Sequence, residues 1–193
     1  MKGKLILVVG VPGAGKSTLI RYAHEMFPEL GAPLSWTTRP MRPGELEGET
    51  YHFATDEEFT QGVAEGKFLE WVTIDNGRRY GTLKADVVPA LEAGEYLLDE
   101  IEPIGARNLR ALLTDLVVTV FITAGSWESM AQRIRTRAPM TDEEFGKRKE
   151  RYERELAFEK EADYVITNAD GKLEEAKAAF QSVIAKIIEN SGR

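Results

Sequence analysis

An open parallel β-sheet covered by helices on both faces, a three-layer α/β/α fold, is the class that this sequence predicts, and three observations predict it. The apolar run over 4–9 ends in Gly10-Val11-Pro12-Gly13-Ala14-Gly15-Lys16-Ser17, and Thr18-Leu19-Ile20 opens a helix behind it. Further apolar runs over 95–102, 116–122 and 163–168 alternate with helical patterns rather than following one another, which is the order of βαβ units. The runs are continuous rather than alternating, as strands buried on both faces require.

The first unit also carries chemistry. In a strand, glycine-rich turn and helix arranged as G-x-x-x-x-G-K-S, successive backbone N–H groups form an anion cradle at the positive end of a helix. A polyphosphate fits such a cradle, with Lys16 reaching its outer phosphates and the Ser17 hydroxyl placed to ligate Mg²⁺. The 193 residues suffice for one sizeable core with insertions. A net charge of −7 repels a nucleic-acid backbone, so an anionic ligand must be drawn by local basic clusters, and a small nucleotide fits better than DNA or RNA. The absence of cysteine excludes disulfides, thiolate metal sites and cysteine nucleophiles. No apolar run approaches the roughly 20 residues of a membrane span, and Met1-Lys2-Gly3-Lys4 leads straight into a strand, so the expected location is the cytoplasm.

The helix over 16–26 ends at Phe27-Pro28. A short strand from Leu34 then breaks into a proline-punctuated loop with Arg39 and Arg42, two guanidinium forks on stiff backbone that would clamp a monophosphate. The segment 47–53 alternates like a half-buried strand, and 56–66 reads as a helix capped at Thr55 or Asp56 and stopped by Gly66. Residues 68–74 and 79–82 flank Asn76-Gly77, a hairpin signal. Within this hairpin Glu70 is either an outward carboxylate on the polar face or a functional group, and spacing alone leaves both open. His24 and His52 have no partner at metal-ligand spacing.

A helix over 83–93 ends at Gly94, and the strand over 95–102 finishes in Asp99, Glu100 and Glu102, candidates to hold Mg²⁺ or its waters beside the first loop. After a helix over 108–113 and the strand over 116–122, the helix over 126–137 presents Arg133 and Arg137 on one face. Thr141-Asp142-Glu143-Glu144 carries the capping signature of another helix. Between Arg133 and Arg154 eight basic residues face five acidic ones, the reverse of the chain's overall sign. That segment is either a salt-bridged solvated helix or a cationic lid over phosphates. An amphipathic helix over 172–189 closes the chain.

Several ordered motifs together resemble the guanylate kinase family over nearly the whole length. They are the P-loop, Ser35…Thr37-Thr38-Arg39…Arg42-Pro43-Gly44-Glu45, Gly48…Tyr51…Phe53, Phe68-Leu69-Glu70-Trp71, Tyr80-Gly81-Thr82, Gly105-Ala106-Arg107, and Arg133, Arg137 and Arg148. The resemblance implies a P-loop NTPase-type core (1–33, 95–125 and 159–193), an inserted GMP-binding subdomain with a small mixed sheet (34–94) and a helical lid over ATP (126–158). It implies Mg²⁺-dependent transfer of the ATP γ-phosphoryl group to GMP, with dGMP left open, by a monomer or homodimer. Carried over by position, residues 10–18 (Thr18 included), Arg133, Arg137 and Asn168 bind ATP. Arg39, Arg42, Tyr51 and Tyr80 hold the GMP phosphate, Ser35, Glu70 and Thr82 read guanine, and Glu100 contacts GMP. Lys16, Arg39, Arg133, Arg137 and Arg148 act in catalysis, while Ser17, Glu100 and Glu102 hold Mg²⁺, partly through water.

The chain departs from the family's habit at Glu100-Ile101-Glu102, where Asp-Ile-Asp is common. Other departures are Arg79 for a frequent tyrosine, Ala138 for a glycine, and Val11-Pro12 for Pro-Ser. The rivals are a paralogue that phosphorylates another small phosphate ester and a non-catalytic phosphopeptide-binding module. A GTPase-type switch would need an N-K-x-D motif that the sequence lacks.

Overall fold

The computed structural model describes residues 3–74, 77–137 and 141–190, with only the backbone of Ile134 and Arg137. In chain order the elements are β1 (Lys4–Gly10), α1 (Lys16–Met26), β2 (Trp36–Thr37), β3 (His52–Phe53), α2 (Asp56–Ala64), β4 (Phe68–Thr73), β5 (Arg79–Leu83), α3 (Lys84–Ala93), β6 (Tyr96–Glu100), α4 (Pro103–Leu113), β7 (Val117–Thr123), α5 (Trp127–Arg137), α6 (Asp142–Leu156), β8 (Tyr164–Thr167) and α7 (Leu173–Asn190).

The core sheet is parallel, in the order β6-β1-β7-β8. Its inner strand β1 explains the continuous apolar run: Leu5, Ile6, Leu7, Val8 and Val9 are all fully buried, as a strand with helices on both sides must be. α1 packs on α7, and α4 packs on β1 and β7, with Leu19, Leu109, Phe180 and Ile184 fully buried between the layers.

The insertion between α1 and α3 builds a second, mixed sheet in the order β3-β2-β5-β4. Its small core of Ala54, Phe59 and Phe68 is buried beneath Trp36, Val63 and Leu83. The Phe59 and Phe68 rings stack at 4.7 Å. Both capping signatures form reciprocal boxes, Thr55 with Glu58 and Thr141 with Glu144.

Three elements differ from expectation. The strand over 47–53 shrinks to His52–Phe53, because Gly48 takes φ 77° and the Leu46 carbonyl accepts the N–H groups of Glu49 and Thr50 in a turn. α4 starts at Pro103, five residues before the expected 108, since a proline at the first helical position loses no hydrogen bond. β6 accordingly ends at Glu100, and Glu102 becomes the cap residue of α4. Asp75 and Asn76 of the expected hairpin turn, and Ala138, lie outside the described residues.

Candidate active site

The parallel register sets Val8 opposite Glu100, so the loop leaving β1 and the tip of β6 meet. Lys16 Nζ donates to the Gly10 carbonyl at 2.7 Å and lies 3.4 Å from Glu100 Oε1. Ser17 Oγ donates to Glu100 Oε2 at 3.1 Å. Gly15 closes the loop as the N-cap of α1 at φ 91°. A Cβ there would stand 2.5 Å from Asn168 Nδ2, so backbone freedom and lack of bulk are both required. That amide donates to the Ala14 carbonyl at 2.8 Å and thereby braces the loop from behind.

A cleft of about 770 Å³ opens from this loop. It gathers most of the residues singled out from the sequence. Gly10, Pro12, Gly13, Gly15, Lys16, Ser17, Thr18, Arg133 and Arg148 line it on the side of the loop, α5 and α6, Ser35, Arg39, Arg42, Tyr51, Glu70, Tyr80 and Thr82 on the side of the mixed sheet, and Glu100 and Glu102 between them. Val11, Ala14 and Asn168 lie behind the loop and are buried; what they offer the cleft is backbone and support. Arg137's side chain falls outside the described residues.

The paired strands β4 and β5 place Glu70 opposite Thr82, and the Thr82 hydroxyl donates to Glu70 Oε1 at 3.2 Å. Glu70 is only 7% exposed, and its other oxygen, Oε2, has no partner among the described residues. Burial raises its carboxyl to about 7 against the opposing pull of the Thr82 hydrogen bond. Gly105 of α4 allows this approach, since a Cβ there would meet Glu70 Oε2 at 3.0 Å and the Ile101 side chain at 2.8 Å. Ser35 Oγ donates to Asp99 Oδ2 at 3.2 Å, and burial lifts the Asp99 carboxyl to about 7. Of the three acidic candidates at the end of β6 and just beyond it, Asp99 therefore turns toward Ser35, Glu100 toward the loop, and Glu102 toward Arg151 of α6.

Arg39 and Arg42, expected as a joint clamp, differ sharply in setting. Arg39 is 4% exposed, and both of its terminal nitrogens contact Glu45 at 2.6 Å. Its guanidinium lies over the rings of Tyr51 at 5.0 Å and Phe53 at 5.3 Å. The hydrogen bond from Arg39 holds the Glu45 carboxyl below its ordinary range. Arg42 is exposed, with its backbone N–H on Glu45 at 2.7 Å. Tyr51 and Tyr80 meet edge to face at 6.1 Å, and burial raises the Tyr51 hydroxyl above its usual value.

On α5, Arg133 is drawn to Asp170 and to the Asn168 carbonyl, each at 2.7 Å. Arg151, which the sequence reading passed over as one of several helix cations, also lines the cleft and bonds Glu102 at 2.7 Å. Its signal was the spacing Arg148, Arg151, Glu155, which falls on one face of a helix. Arg21 at the rim was missed as well.

A phosphate loop at the end of an inner parallel strand, facing across a cleft a second compartment with a buried, half-satisfied carboxylate, defines a P-loop nucleotide-binding α/β protein with two ligand sites. The family model described as guanylate kinase matches residues 2–187. Curated guanylate kinases are similar throughout. That of Nocardia farcinica is 36% identical over 193 residues, covering 100% of this chain and 97% of its own. That of Rubrobacter xylanophilus is 38% identical over 187 residues, covering 97% and 96%. A crystal structure of guanylate kinase from Anaplasma phagocytophilum superposes with a TM-score of 0.78 at 23% identity, over 96% of this chain and 86% of that one. The chain belongs to the guanylate kinase family.

Proposed function

We infer that the chain is a nucleoside monophosphate kinase that transfers the γ-phosphoryl group of ATP to GMP, giving ADP and GDP. The observation that carries the choice of acceptor is Glu70, a buried carboxylate with one oxygen held by Thr82 and the other without a partner among the described residues, in the same cleft as the phosphate loop. A carboxylate in that state calls for a partner with hydrogen-bond donors. Guanine offers N1–H and the exocyclic amine side by side, whereas adenine lacks both donors there and would leave the acceptor unsatisfied.

The loop's N–H groups and Lys16 fit the β- and γ-phosphates, and Arg39, Arg42, Tyr51 and Tyr80 fit the acceptor phosphate. Arg133, Arg137 and Arg148 come from the lid side. Catalysis then consists of alignment and charge neutralisation, with no covalent intermediate on the protein. The oxygens at the loop suit Mg²⁺, a hard cation that keeps most of its waters and takes one or two protein oxygens alongside phosphate. Ser17 and Glu100 are such oxygens at 3.1 Å from each other, and no cluster of three His, Cys, Asp or Glu that could cage a metal occurs among the described residues. Ser17, with Glu100 and Glu102 partly through water, would hold the ion, which would supply neutralisation of the phosphate charge.

We take 34–94 as the GMP-binding subdomain and 126–158 as a lid that closes over ATP. On this reading the reaction belongs to purine nucleotide metabolism, and we propose the cytoplasm as its location. A coupled assay with ATP, with and without Mg²⁺, against GMP, dGMP, AMP, UMP and a sugar phosphate tests the reading. Turnover of GMP far above the other bases is expected, and equal turnover of AMP overturns it.

A further inference from the structure

The face of α6 that looks into the cleft carries Arg148, which the proposed transfer uses, and Arg151, which it does not. Arg148 and Arg151 lie one turn apart, and Glu155 follows one turn below. Arg148 is exposed, while Arg151 beneath it is partly buried and bonds in two directions. Its Nη2 reaches Glu102 at 2.7 Å across 49 residues, and its Nε reaches Glu155. Glu155 is 5% exposed, and its second oxygen has no partner among the described residues. Glu102 in turn is fixed as the cap residue of α4, immediately past the strand that places Glu100 on the loop.

We propose that Arg151 is a positioning residue for phosphoryl transfer: by forking between Glu102 of the core and Glu155 of its own helix, it sets the height and rotation of α6, and so delivers Arg148 to the phosphates. A guanidinium suits this task because its rigid fork serves two carboxylates at once, whereas an ammonium is a point charge. The bridge ties the lid to the strand that carries the loop's carboxylate, so a shift of α6 moves Arg148 relative to Lys16. Misplacement of a catalytic group by about 1 Å costs on the order of 10²-fold in rate. Ground-state binding of GMP, held on the opposite side of the cleft, is untouched by this bridge.

The inference rests on the GMP kinase reading, and turnover by the wild-type chain is its control: without any, the reading itself fails. Given turnover, R151Q should lower kcat by about 10- to 100-fold with the KM for GMP unchanged, and R151K should restore little of it. Because R151Q leaves Glu155 buried without its cation, R151Q/E155Q is measured beside it; this pair should recover thermal stability and still show the low kcat. In an R148A background, R151Q should cost less than 3-fold, since the group it positions is already gone. A full independent loss on top of R148A, a raised KM for GMP, or a wild-type kcat in the stable double variant would each overturn the assignment.

Discussion

Thr82 donates its hydroxyl to one oxygen of Glu70 at 3.2 Å and leaves the other buried, with no partner among the described residues. On the proposed function the pair is a reader with one place already filled by the protein, so the base would complete the carboxylate rather than compete for it. Replacing Glu70 by Gln sets an NH₂ donor against guanine's own donors. GMP over AMP discrimination should fall by about 2–4 kcal/mol, read as the ratio of kcat/KM values, with AMP itself little changed.

The same carboxylate has a pH signature. Its folded value of about 7 lies above the ordinary 4.5 because burial disfavours the charged form. The folded chain therefore holds this proton more tightly than the unfolded chain, and the stability so gained is present below about 4.5 and lost as pH rises through about 7. GMP has the opposite preference, since only the ionised group offers acceptors to both donors. Titration calorimetry at pH 6 and pH 8 should show wild-type GMP affinity rising more than that of the Glu70→Gln variant; parallel profiles would contradict the role.

Arg39 and Arg42 should separate in stability but not in ligand. On the proposed function each substitution removes a charged fork from the acceptor phosphate, so Arg39→Ala and Arg42→Ala should both raise the KM for GMP well above any change for ATP. Arg39→Ala also strands Glu45 and uncovers Tyr51 and Phe53, which should cost about 2 kcal/mol of stability. Arg42→Ala should melt like the wild type.

Lys16→Met should keep the fold and lose at least about 10²-fold in kcat, because the lysine's charge matters most as charge redistributes among transferring phosphates. Circular dichroism alongside the assay distinguishes this from unfolding, and wild-type turnover in a folded variant would remove Lys16 from the reaction.

Asn168→Ala removes the brace on the Ala14 carbonyl without touching the mixed sheet. Binding of ATP should weaken about 5- to 10-fold, the loss of one hydrogen bond worth about 1 kcal/mol, while GMP binding stays the same. Equal loss for both nucleotides would show that the brace acts on the whole cleft.

The loop, the four core strands and both capping boxes were legible because each depends on neighbours in sequence: a glycine where φ is positive, a run of apolar residues, a Thr three residues before a Glu. The motif positions of the acceptor side were legible through resemblance. What stayed hidden depended on the partner. Glu70 read as either surface or site until burial left one of its oxygens unpaired. Arg39 read as free to bind phosphate, yet Glu45 six residues on folds back to hold it. Arg151 met Glu102 only through tertiary contact, and Gly48 turned an alternating stretch into a bend.

Two of the cleft arginines assigned to phosphate already have carboxylate partners: Arg39 has Glu45, and Arg133 has Asp170. In effect the cleft carries its own counter-ions, fixed to the chain rather than drawn from solution. A phosphate arriving there exchanges one anion for another and displaces protein carboxylates instead of dissolved salt. Nucleotide affinity should consequently depend on ionic strength far less than the number of arginines would suggest, because little free anion is released. The displaced carboxylates, once turned away, become available to water.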